Sequence, residues 1–154
     1  MYIEKLTDNV NGIRYLKRAL EISYEDPRIL EALGAAYMNL KPGQEGTREE
    51  NINTAIDYFE KAYRHSEGYR NTDVLSARLS QAYNIQGRAS SALKYADLAL
   101  QITRQPVFGL AHLEKAKALI KMEDFAGAKH HLNEAQKDLT VKSEAEFWLK
   151  EIER

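Results

Sequence analysis

The sequence contains no cysteine. Disulfides, thiolate metal ligands and a cysteine nucleophile are therefore excluded. The lack fits a reducing compartment, and the expected location is cytoplasmic. Charge of one sign is missing too: 22 Lys and Arg stand against 23 Asp and Glu, a formal net charge of -1. Nucleic-acid binders gain affinity by releasing counterions onto a basic surface, so no nucleic-acid partner is expected. No apolar run approaches the ~20 residues a membrane-spanning helix needs, and no membrane insertion is expected. The opening residues Met1-Tyr2-Ile3-Glu4-Lys5-Leu6 lack the apolar stretch of a secretory signal. A Gly-rich phosphate loop before a helix and a Gly-x-Ser-x-Gly elbow are both absent. The chain is therefore expected to be no enzyme and to carry no cofactor.

Histidine is scarce: His65, His112, His130 and His131 are the whole set. Helical neighbours diverge by about 100°, so His130 and His131 do not converge on one ion. Glu134 stands at helical spacing from His130, but one such pair makes no metal site. Acidic residues are spread along the helix surfaces near Lys or Arg, as solvated faces usually are.

What is present is periodic. With 154 residues and 44% hydrophobic content, the chain can build one domain with a real core. In "GRASSALKYADLAL", Ala92 and Ala99 stand seven residues apart. The same spacing recurs as Ala55 and Ala62, as Ala128 and Ala135, and as Gly12 and Ala19. Between the members sit Phe59, Ala96, Leu132 and Leu16. A second pattern precedes three of these pairs: Leu33-Gly34…Tyr37, Leu79-Ser80…Tyr83, and the weaker Lys115-Ala116…Leu119. The unit is thus two helices. Small residues are needed where the two axes approach, because packed interiors tolerate no excess volume. Gly34, Ser80 and Ala116 are expected to meet Ala55, Ala92 and Ala128 across each pair. Ala62, Ala99 and Ala135 are expected to face the next unit.

Caps set the boundaries. A first helix is expected over about 9–24, and Asp26-Pro27 opens one that runs to about Leu40, stopped by Lys41-Pro42-Gly43. The capping box "TREE" opens another, ending near Gly68. Helices follow from Asn71-Thr72-Asp73 to Gly87, then over 89–103, 107–121 and 124–138. A second capping box, "SEAE" (Ser143 to Glu146), begins the eighth helix, with Ala145, Trp148, Leu149 and Ile152 on one apolar face. Trp148 closes the core there or serves as a binding residue.

The repeated pattern resembles the tetratricopeptide repeat, a helix–turn–helix unit of ~34 residues. The resemblance covers almost the whole chain. "EALGAAY" and "LSQAYNIQGRASSALKYADLAL" carry it best; Lys115 and Leu119 depart from the usual Leu and Tyr. It implies an all-α, right-handed superhelix of antiparallel helix pairs, one domain over 1–154. A half repeat occupies about 8–24, full repeats about 27–68, 73–104 and 107–138, and a capping helix about 143–153. It also implies a concave groove lined by the first helix of each unit, which accepts an extended or helical peptide. The corresponding residues are Glu31, Ala35, Met38, Ala77, Arg78, Gln81, Asn84, Leu113, Lys117 and Ile120. A subgroup of the family clamps a C-terminal carboxylate with Lys and Asn; Glu31 and Ala35 fall on those positions, so tail capture is not expected.

Two irregularities stand out. "LKPGQEGTREENIN", residues 40–53, is longer than its counterparts. The loop 41–47 is either a functional insertion or a tolerated one. In the half unit, Val10, Ile13, Leu16 and Leu20 form an apolar face without a preceding helix. Residues 2–7, with Tyr2, Ile3 and Leu6, fold back over it, or a second protomer or an upstream domain buries it. The expected function is a non-catalytic scaffold or adaptor that binds a protein or peptide. The alternatives are a self-association module forming a homodimer through the N-terminal helix, and a regulatory part of a larger enzyme complex.

Overall fold

Among the described residues the periodic apolar positions are built into eight helices: α1 Tyr2–Ile22, α2 Pro27–Met38, α3 Arg48–Arg64, α4 Thr72–Gln86, α5 Ala89–Ile102, α6 Gly109–Lys121, α7 Phe125–Ala135 and α8 Lys142–Ile152. The computed structural model describes the backbone from Tyr2 to Arg154 and the side chains from Asn9 onward. Among the described residues there is no strand. The helices group into two compact units, Met1–Arg70 and Asn71–Arg154.

In the first unit, α2 packs on α1 and on α3. Asp26 caps α2 by accepting from the Arg28 N–H at 2.9 Å, with Pro27 in the first turn. Thr47 caps α3 by accepting from the Glu50 N–H at 3.1 Å. Helices α2 and α3 pack tightly at Gly34. A methyl group there would fall 2.5 Å from two carbons of the Phe59 ring. The three nearest atoms to that position all belong to Phe59, whose large ring leaves room for no side chain opposite.

Helix α1 corrects the sequence expectation. Residues 2–7 do not fold back; they extend the same helix, which starts at Tyr2. The side chains of Tyr2, Ile3 and Leu6 lie outside the described residues. Ile13 is buried, and Val10, Leu16 and Leu20 are half-buried on the side that meets α2. The face left open is a different one: Tyr15 is 68% exposed and Ile22 86%.

The loop 41–47 is tied down. Asn51, only 2% exposed, donates from Nδ2 to the carbonyls of Gln44 at 2.8 Å and Gly46 at 3.2 Å. Arg48 Nη1 donates to the Met38 carbonyl at 2.6 Å.

The second unit stacks α4 on α5, α5 on α6, α6 on α7 and α7 on α8. Ser80 and Ala92 meet as expected: Ser80 Oγ donates to the Ala92 carbonyl at 2.6 Å. Ala99 shares a buried cluster with Phe108 and Ala111 of the following pair. Ala135 shares another with Ala145 of α8. Gly87 ends α4 with a left-handed φ of 84°, its N–H bonded to Asn84 O and the Arg88 N–H to Tyr83 O. This is the Schellman termination that favours glycine. The "SEAE" capping box does not form. Asp138 accepts from the Thr140 N–H and Oγ1 and from the Gly109 N–H. That turn starts α8 at Lys142, so Ser143 falls inside the helix and caps nothing.

Candidate functional site

The surface that combines shape with exposed apolar side chains lies at the turn-side end of the second unit. It is a cleft of about 460 Å³. Asn84 and Gly87 enter it from the end of α4, and Ala89 from the start of α5. Lys117, Ile120 and Lys121 come from the last turns of α6, Glu123 from the α6–α7 turn, Phe125 from the first position of α7 and Trp148 from α8. A second lobe, also about 460 Å³, shares Ile120, Phe125 and Trp148 and adds Glu151, Ile152 and Arg154. Ile120, Phe125, Trp148 and Ile152 make the apolar lining. Phe125 is 49% exposed although aromatic.

Local structure explains each position. Asp124 caps α7 by accepting from the Gly127 N–H at 2.9 Å, which fixes Phe125 in the first turn. Trp148 rests on the buried cluster of Leu113, Ala116, Leu119, Ala128 and Leu132, beside Leu149 and Ile152. It is half-buried, so it both covers the core and lines the cleft. Glu123 ends α6 as Gly87 ends α4: its N–H bonds to Ile120 O at 2.9 Å, and the Asp124 N–H bonds to Leu119 O at 2.8 Å. Its φ is 64°, a left-handed backbone on a residue with a side chain.

A polar network lies beside this lining. Glu114 is fully buried and accepts from Asn84 Nδ2 at 2.9 Å and from Lys117 Nζ at 3.4 Å. Lys117 Nζ also donates to Glu144 at 3.1 Å. Burial pushes the Glu114 carboxyl above the usual carboxylate range, against the pull of Lys117 and Asn84. Burial disfavours the Lys117 charge, but Glu114 and Glu144 more than offset this and hold it above the ordinary lysine range. These groups are committed to one another. Lys121 is exposed and holds no ion pair among the described residues.

Of the ten groove residues read from the sequence, Asn84, Lys117 and Ile120 line this cleft. Arg78 and Gln81 are half-buried on α4 outside its lining. Ala77 and Leu113 are core residues with essentially no exposed surface, and this corrects their assignment to a groove. In the first unit, Glu31 is buried and accepts a hydrogen bond from Tyr69 Oη, Met38 is buried, and Ala35 is half-buried. The carboxylate of Glu31 is engaged within its own unit. Sequence reasoning missed Phe125, Lys121 and Glu123. A signal for Phe125 existed: it occupies the place that Ala89 takes one repeat earlier, where the packing ladder asks for nothing large.

Among the described residues no helix is long and apolar enough to cross a membrane, and no group of three or more His, Cys, Asp or Glu is placed to hold a metal ion. Compared with known family models and with curated proteins, the sequence matches none.

Proposed function

We propose that the chain is a non-catalytic protein-interaction module of the tetratricopeptide type, and that the Phe125–Trp148 cleft receives a short segment of a partner protein. The observation that carries this reading is a half-exposed phenylalanine beside a half-buried tryptophan, over Ile120, in a cleft of about 460 Å³. That volume falls within the range of ordinary binding pockets. Large aromatic surface left open to water is costly unless something covers it. The segment that fits has a bulky apolar anchor, seated against Phe125 and Trp148, and an acidic residue beside it to meet Lys121. Because α6, α7 and α8 are held by a shared core and α4 packs on α6, the lining is ordered before binding, which lowers the entropic cost. The repeating small and bulky positions of three helix pairs support the tetratricopeptide assignment.

The test uses a displayed library of random linear peptides selected on the full chain. Enriched sequences should share an aromatic or large aliphatic residue next to Asp or Glu. Phe125→Ala should weaken a selected peptide by about tenfold or more, as loss of a binding hot spot does. Lys121→Glu should weaken it further for the acidic peptides. Selected peptides indifferent to both substitutions would move the binding surface elsewhere.

The open face of α1 favours a second reading, self-association. Tyr15 and Ile22 stand one heptad apart and roughly 180–200° around the helix from Ile13, so they share a face that α2 does not cover. A dimer in light scattering that Tyr15→Glu with Ile22→Lys converts to monomer would support it. A monomer at every concentration would dismiss it.

A further inference from the structure

Three of the four histidines gather at the open end of the α6–α7 hairpin, away from its connecting turn. His112 Nδ1 of α6 and His131 Nδ1 of α7 lie 2.9 Å apart. Their rings stack at 5.2 Å with 25° between planes, and His130 meets His131 edge-on at 4.9 Å. Two imidazole nitrogens at that distance form a bond only when one carries hydrogen and the other offers its lone pair. The contact therefore requires a single proton between the two Nδ1 atoms. Uptake of one further proton at the outer nitrogen of the donor ring leaves that bond in place and adds charge to it; the outer nitrogen of the acceptor ring already carries its hydrogen. A proton on both Nδ1 atoms turns it into a clash of like charges.

We propose that the His112–His131 pair is an acid-sensitive fastener of the α6–α7 hairpin: with one proton between the Nδ1 atoms the seam is closed, and with a proton on each it opens.

The surroundings favour this. From α5, Asp97 faces His131, but its carboxylate is engaged by Lys115 Nζ of α6 at 2.6 Å. From α7 itself, Glu134 faces His112 and is engaged by Lys137 of the following turn at 3.0 Å. Both neighbouring carboxylates are thus already matched by lysines and leave a second positive charge unanswered. On α4, Asp73 is bonded to Thr103 and Gln105; on α8, Glu144 is bonded to Lys117. Burial first, then Lys115 and the other two imidazoles, lowers His131 to about 4. Burial also lowers His112, against Glu134. An unfolded imidazole takes its proton near 6.5. Between that value and about 4 the unfolded chain binds more protons than the folded one, so stability falls as pH falls through this window.

The test is imidazole ¹⁵N NMR on the full chain, with chelator present so that no bound metal mimics the contact. At neutral pH a scalar coupling across the N–H···N bond should link His112 Nδ1 to His131 Nδ1. The two rings should titrate as a coupled pair, and the coupling should vanish when both Nδ1 atoms are protonated. His131→Phe keeps a stacked ring and removes the shared proton. Its urea-unfolding stability should decline less than that of the wild type between pH of about 6.5 and about 4. Absence of the coupling at neutral pH, or a parallel decline in both proteins, overturns the proposal. If the variant does not fold, the coupling in the wild-type chain decides alone.

Discussion

At the residue scale, volume is fitted across the α2–α3 pair. Gly34 faces Phe59, while the equivalent positions one and two repeats on are Ser80 with Ala96 and Ala116 with Leu132. All of these are buried. Gly34→Ala alone forces a methyl group into the Phe59 ring and should cost about 1–3 kcal/mol, as overpacking does. Gly34→Ala with Phe59→Leu recreates the Ala116–Leu132 combination. Its urea-unfolding free energy should fall by clearly less than the sum of the two single changes. Strict additivity would mean that the two sites do not share the space. Glu123 belongs to this scale as well. It holds a left-handed backbone where the preceding repeat has Gly87, at a cost of roughly 1 kcal/mol for a residue with a Cβ. Glu123→Gly should raise the thermal midpoint, and it should do so without changing helix content by circular dichroism.

At the scale of elements, the ends of helices were harder to read than their middles. Asp26-Pro27 and Thr47 cap as their chemistry dictates, because each satisfies an N–H within its own first turn. The start of α8 could not be read locally, because Asp138 reaches back to Gly109 of α6 as well as to Thr140. The loop 41–47 is a similar case. Nothing in "KPGQEGT" announces that Asn51, a turn inside α3, would bury its amide against two of the loop carbonyls. Asn51→Ala should cost about 1–3 kcal/mol in denaturant unfolding, since two half-buried loop carbonyls lose their donor. Deleting residues 43–46 should cost a comparable amount, because the amide then loses its partners. Full stability after either change would show the loop to be a passive insertion.

At the scale of the whole molecule, helix number and the all-α class were legible because apolar period and small-residue spacing repeat along the chain. The binding surface was legible only in part. Asn84, Lys117 and Ile120 were placed by repeat register, but register alone cannot separate a lining position from a core one, and Ala77 and Leu113 were lost to the core for that reason. Phe125 stands outside the ladder altogether. The His112–His131 contact joins residues on different helices, so no local pattern could show it. The second unit, Asn71–Arg154, contains both of its clusters around Leu113 and Phe108 and every residue of the cleft. Expressed alone, it should unfold cooperatively on heating and bind the same selected peptides as the full chain. A fragment without a cooperative transition would mean that its core depends on the rest of the chain.

The exchange of volume between Gly34 and Phe59 also limits how such a chain can grow by duplication. A copied helix carries only half of a fitted pair. If α4 were recombined into the place of α2, Ser80 would arrive opposite Phe59 with atoms where the ring already lies. A copied hairpin carries both halves and arrives already fitted. The heritable module is therefore the helix pair, and single helices of this chain are not interchangeable parts.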